Sequence, residues 1–160
     1  MADREGLRRV RGWIAVFVAG LVLSGVTAFP LVHETGWLVQ VVREFAAGSA
    51  MDVWVTRVHE ALVDTAGRYP FLAYGTDWLA FAHLALAVVF VGPWREPVKN
   101  KWVVEFGLIA CAGVVPLALI AGPVRGIPVW WRVGDCCFGV FGAVPLWMAL
   151  REIRRMELAG

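Results

Sequence analysis

Charge is scarce in this chain: Asp, Glu, Lys and Arg make up 18% of its 160 residues, where soluble domains carry about 25%. Set against 59% hydrophobic residues and a mean hydropathy of +0.67, that deficit excludes an ordinary soluble domain. Cysteine is scarce as well. Cys111, Cys136 and Cys137 are an odd number without metal-ligand spacing, so they supply neither a disulfide framework nor a zinc site. The adjacent Cys136 and Cys137 read as small apolar packing residues. There is no low-complexity tract and no internal repeat. A formal net charge of +2 gives no support to a nucleic-acid partner.

What is abundant is hydrocarbon, in four long windows: residues 12–32, 78–94, 102–122 and 133–150. Each reaches the roughly 17 to 25 residues that a helix needs to cross a membrane. All four are read as helices, because a spanning segment must satisfy its own backbone hydrogen bonds. The expected fold is an all-α integral membrane four-helix bundle, a single domain over residues 1–160. Trp13, Trp37, Trp78, Trp94, Trp102, Trp130, Trp131 and Trp147 fall at or near the window ends, which is the pattern of an aromatic belt.

Orientation follows from the basic residues. Arg4, Arg8, Arg9 and Arg11, then Arg95, Lys99 and Lys101, then Arg151, Arg154 and Arg155 make ten of the fifteen, all on one side of the four-span topology. Both termini are therefore expected in the cytoplasm of a cell (plasma) membrane protein, with residues 33–77 and 123–132 outside. The first window is longer than a signal-peptide core of about 7 to 15 residues and reads as a retained anchor.

Between the first two windows, Met51, Trp54, Val55, Val58, Leu62 and Thr65 approximate a helical stripe, with Asp52, Arg57, Glu60 and Asp64 away from it. This predicts an extracytoplasmic amphipathic helix over residues 50–66. His59 sits beside its charged face and is expected to be solvated. Trp37, Leu38, Val41, Val42 and Phe45 suggest a second surface helix. Pro116 and Pro145, inside the third and fourth windows, predict kinks and not ends.

Polar residues at the outer ends of the windows need an explanation, since a charge deep in a bilayer costs about 2.5–3.5 kcal/mol on insertion scales. They are His33, Glu34, Asp77, His83, Arg125, Arg132 and Asp135. Asp77 is suited to capping the second span, while His83, six residues on, points elsewhere around the helix. Arg132 and Asp135 have the spacing of an ion pair. Asp135, Gly139 and Gly142 share a face whose glycines leave a groove for another helix or a lipid chain. Gly139 and Ala143 also form a small-xxx-small pair. Near the cytoplasmic end, Lys101 and Glu105 are spaced to pair at i, i+4.

The stretch "TDWLAFAH", with Thr76, Asp77 and His83, and the stretch "RVGDCCFGVFG", with Arg132, Asp135, Gly139 and Gly142, together resemble the VanZ-like proteins and related small four-span membrane proteins thought to act on lipid-linked substrates. The similarity covers residues 73–150. It departs where Trp78 replaces a lysine, where His83 is displaced by two or three positions, and where Gly139 replaces an asparagine. The resemblance implies headgroup hydrolysis or transfer at an outward-facing polar pocket. His83 would be general base, Asp77 or Asp135 would orient it or share the proton, and Arg125 and Arg132 would hold a phosphate. No activated Ser or Cys nucleophile stands out.

The leading expectation is thus a membrane protein whose partners are lipids or other amphiphiles, with no cofactor and no metal. The alternative is a non-enzymatic subunit of a larger membrane protein complex. A third reading, in which His33, His59 and His83 ligate haem or a metal, has no motif behind it.

Overall fold

Proline decides where the first helix stops. Pro30 has no N–H to continue a helical ladder, and its ring pushes the residue before it out of the helical region. In the computed structural model, which describes residues 2–159, α1 accordingly runs Ala2–Thr27 and α2 starts afresh at Leu31–Ala46, with Pro30 as its N-cap. The first hydrophobic window, 12–32, therefore contains a break that hydropathy does not register. His33 and Glu34 stand in the first turn of α2 and do not close α1.

The remaining elements are α3 (Ala50–Arg68), a 3-10 turn (Pro70–Leu72), α4 (Ala73–Val89), the short α5 (Val91–Arg95), α6 (Lys101–Val124) and α7 (Val129–Ala159). No strand occurs among the described residues. Among the described residues four stretches are long and apolar enough to cross a membrane: Arg4–Thr27, Pro70–Arg95, Lys101–Val124 and Val129–Leu158. Large apolar side chains along them stay exposed, Phe138 and Phe141 at 74% and 73% for example. That outward hydrocarbon suits lipid as the solvent and would be costly in water. Helices α6 and α7 run unbroken through Pro116 and Pro145.

The chain forms two compact units, residues 1–20 with 86–160, and residues 21–85. In the first, Val10 and Ile14 of α1, Val103 and Val104 of α6, and Leu146, Ala149 and Ile153 of α7 are the buried apolar positions of the three long helices. Glycine lets α6 and α7 approach. A Cβ built on Gly139 would lie 2.6 Å from the carbonyl oxygen of Cys111, and one on Gly107 would lie 2.7 Å from Leu146 Cδ1. The glycine face of α7 thus receives α6.

The ion pairs of this unit differ from those that sequence spacing suggests. Lys101 Nζ bonds Glu157 at 2.7 and 2.8 Å, not Glu105, which instead lies 3.8 Å from Arg154 Nη2. Both pairs join α6 to α7, and a partner across a packed interface displaces the less favourable Lys-to-Glu order along one helix. Arg11 Nε donates to the Trp94 carbonyl at 3.0 Å, and Gly6 faces Met156. The three basic clusters of the sequence meet at this one end of the unit.

In the second unit, Thr35, Val39 and Val42 of α2 and Val55 of α3 are the buried positions of a helical hairpin. Ser49 caps α3 by accepting from Asp52 N–H at 3.2 Å, and Asp52 in return accepts from Gly48 N–H at 2.9 Å. This is a variant of the reciprocal capping box, made possible by Gly48 at φ +74°. At the other end of the hairpin, His59 is not solvated as expected. Its Nδ1 lies 3.0 Å from Thr35 Oγ1 and its ring packs over Gly36.

Candidate functional site

Asp77 and His83 both stand on α4, which begins four residues before Asp77. Pro70 opens the preceding 3-10 turn at a first-turn position that needs no N–H, and the helix follows directly. Asp77 is therefore in the second turn and does not cap the helix; the sequence expectation placed the helix start too late. His83 Nδ1 lies 2.8 Å from the Leu79 carbonyl. A carbonyl only accepts, so Nδ1 carries the proton and, in the neutral ring, Nε2 presents its lone pair. Both residues are half-buried.

Beside Asp77, Thr76 lines an open groove of about 540 Å³ within the same unit. Three segments build it: Phe29–His33 at the α1–α2 turn, Leu62–Ala66 late in α3, and Leu72–Thr76 at the start of α4. Phe29, Leu31, Leu62 and Leu72 make its walls hydrocarbon, and His33, Thr65 and Thr76 supply its polar atoms. Its size lies within the 300–1,000 Å³ usual for small-molecule sites. Sequence reading missed this groove. The signal for it was the pair of Pro-containing turns, Phe29-Pro30 and Tyr69-Pro70, which bend the chain between apolar helix ends.

The other three residues singled out from sequence belong to the α6–α7 hairpin in the first unit. Helix α6 ends in a Schellman motif: Ile127 N–H bonds the Gly122 carbonyl at 2.9 Å and Gly126 N–H the Pro123 carbonyl at 3.1 Å. Gly126, at φ +68°, takes the left-handed position this needs, and Arg125 is the exposed C-cap. The reversal brings the first turn of α7 back onto the last turn of α6, and the stem of Arg132 fills the space above Gly122.

Arg132 does not pair with Asp135, contrary to their spacing, because its stem is directed across to α6. Its Nε is buried with no hydrogen-bond partner among the described residues. Asp135 is half-buried, and among the described residues neither Arg125 nor Arg132 has a carboxylate within ion-pair distance. The hairpin therefore presents two guanidiniums that no carboxylate among the described residues pairs with.

Of the histidines read as possible metal ligands, His33 is exposed on α2, His59 is engaged with Thr35, and His83 is on α4. Among the described residues no three His, Cys, Asp or Glu side chains gather as a metal site would require. No protein-family model matches the chain, and no curated protein and no solved structure matches it.

Proposed function

We propose that this multi-pass membrane protein binds a lipid or similar amphiphile, taking its apolar part into the groove between the α1–α2 turn, α3 and the start of α4. The observation that carries this reading is the groove itself: hydrocarbon walls with an imidazole and two hydroxyls set among them. An apolar chain gains burial there at roughly 25 cal/mol per Å², and His33, Thr65 and Thr76 offer hydrogen bonds to a polar head. The orientation that fits has both termini in the cytoplasm of the cell membrane and the groove outside, in line with the basic clusters gathered at one end of the first unit.

The resemblance to VanZ-like proteins extends the reading to lipid-linked substrates and to headgroup hydrolysis or transfer. His83 is the residue equipped to accept a proton, since its tautomer leaves Nε2 basic. Arg125 and Arg132, without a carboxylate partner among the described residues, suit a phosphate, which a guanidinium meets with paired N–H donors.

The test is mass spectrometry of lipids that co-purify with the full chain in mild detergent. Wild-type protein is expected to retain a defined lipid, and Ala66→Trp, which fills the groove, to lose it while melting normally. Absence of lipid from both proteins, or an unchanged set of co-purifying lipids in Ala66→Trp, overturns the reading. A stoichiometric protein partner in place of lipid assigns the chain to a larger membrane complex as a non-enzymatic subunit.

A further inference from the structure

The second half of α7 carries a cationic groove that the proposed amphiphile site does not use. It has a volume of about 550 Å³ and is lined by Trp147, Leu150, Arg151, Arg154, Arg155 and Leu158. Apart from Leu150, these residues follow the spacing i, i+4, i+7, i+8, i+11, so they share one face of the helix. The guanidinium carbon of Arg151 lies 6.0 Å from the Trp147 ring centroid, a cation–π distance.

Two acids touch this cluster. Arg155 Nη1 bonds Glu152 Oε1 at 2.8 Å, and Arg154 Nη2 lies 3.8 Å from Glu105. Each contact uses one nitrogen of a group with five N–H donors, and Arg151 has no carboxylate partner among the described residues. The nearby Glu157 is taken up by Lys101. Three guanidiniums against two carboxylates leave a net cationic pocket with donors to spare.

We propose that this groove binds the phosphate of an anionic phospholipid. The lipid source, as opposed to a free anion, is argued from what adjoins the arginines. Val140, Val144 and Trp147 continue the same face and are exposed at 58%, 53% and 56%. They form an apolar track that ends at Arg151, about 16 Å from Val140 at 1.5 Å per residue, which is comparable to much of an acyl chain. A phospholipid satisfies both parts at once, its chain along Val140, Val144 and Trp147 and its phosphate among Arg151, Arg154 and Arg155. A soluble anion would leave the track exposed. The pattern also places an amphipathic Trp at the level where chain meets headgroup.

The test uses the full chain, purified in neutral detergent and titrated with phosphatidylglycerol or phosphatidylcholine under native mass spectrometry. Wild-type protein is expected to prefer phosphatidylglycerol, and Arg151→Gln with Arg154→Gln to bind it about tenfold more weakly, the scale of losing charge-assisted hydrogen bonds. A control pair, Arg4→Gln with Arg8→Gln, removes the same charge from the same end of the unit and is expected to keep the preference. Equal binding of the two lipids overturns the proposal, as does an equal loss in the control pair, which would mean a diffuse field. Displacement of phosphatidylglycerol by inorganic phosphate alone also overturns it, since the site would then read the anion and not the lipid. Because this groove and the amphiphile groove are built from different residues, Ala66→Trp is expected to leave phosphatidylglycerol binding here unchanged.

Discussion

The stem of Arg132 occupies the space left by the missing side chain of Gly122: a Cβ at position 122 would overlap Cδ of Arg132 and lie 2.8 Å from its Cγ. The close approach follows from the Schellman reversal at Gly126, which lays α7 back on α6 before either helix has room for two side chains at that level. It also explains why Arg132 and Asp135 do not pair.

Gly122→Ala is therefore expected to destabilise the protein by about 1–3 kcal/mol, the cost of overpacking a tight contact. In an Arg132→Ala background the same substitution is expected to become neutral or mildly stabilising, because alanine is the better helix former by about 1 kcal/mol. Thermal unfolding of the four proteins of this cycle in detergent measures the coupling. Additive effects of the two substitutions would contradict the contact.

Topology is tested with single cysteines in a chain whose Cys111, Cys136 and Cys137 have been replaced by alanine. Gly67 has open space around its Cα, so Gly67→Cys is tolerated sterically. With both termini cytoplasmic, a membrane-impermeant thiol reagent is expected to label Cys at 67 in intact cells and to label Leu158→Cys only after permeabilisation. The reverse pattern would invert the orientation argued from the basic clusters.

Long apolar windows and the stripe at Met51–Thr65 made the four spans and α3 legible, because both depend on composition and period alone. Helix ends were not legible from hydropathy. Pro30 and Pro70 moved them by several residues, carrying Glu34 into α2 and Asp77 into the second turn of α4. Polar partners were the least legible of all. Lys101 and Glu157 are 56 residues apart and His59 and Thr35 are 24 apart, so no local spacing rule finds them. Arg125, Arg132 and Asp135 were marked out by their cost in a membrane. The groove at Phe29, Leu62 and Thr76 was invisible because its walls are ordinary apolar residues, brought together by two turns.

Asp52 ties the α2–α3 hairpin at its closed end. It accepts from Gly48 N–H, and its Oδ1 accepts from Thr56 Oγ1 at 3.2 Å and from Arg43 Nε at 3.3 Å. The Gly48 backbone bond foremost, with Thr56 and Arg43 adding to it, holds the carboxyl below its usual range, against an opposing push from partial burial. A carboxylate depressed in the folded state contributes stability that is fully present above its unfolded pKa of about 3.9 and is lost as pH falls through the folded value. The protection factors of the Gly48 and Asp52 amides, that is their exchange relative to the intrinsic rate at each pH, are thus expected to hold from neutrality down to about pH 4 and to fall below it. Asp52→Asn, which keeps the acceptor but not the charge, is expected to lack that acid limb. An acid limb of equal size in the variant would remove Asp52 as its cause.

The two glycines of α7 at positions 134 and 139 both lie inside the helix but differ in what faces them, and that contrast separates packing from helix propensity. Around Gly134 a Cβ meets nothing within 4 Å, whereas at Gly139 it would lie 2.6 Å from the Cys111 carbonyl oxygen and 3.3 Å from Val114 Cβ. A backbone oxygen cannot swing aside as a side chain can, so α6 and α7 must separate to admit the methyl. Gly139→Ala is accordingly expected to cost about 1–3 kcal/mol despite its better propensity, and Gly134→Ala to gain about 0.5–1 kcal/mol. Opposite shifts in melting temperature in the same detergent would show that the glycine face of α7 exists to admit α6. If both substitutions stabilise, the close approach at Cys111 is absent in the folded protein and the groove at Gly139 is open.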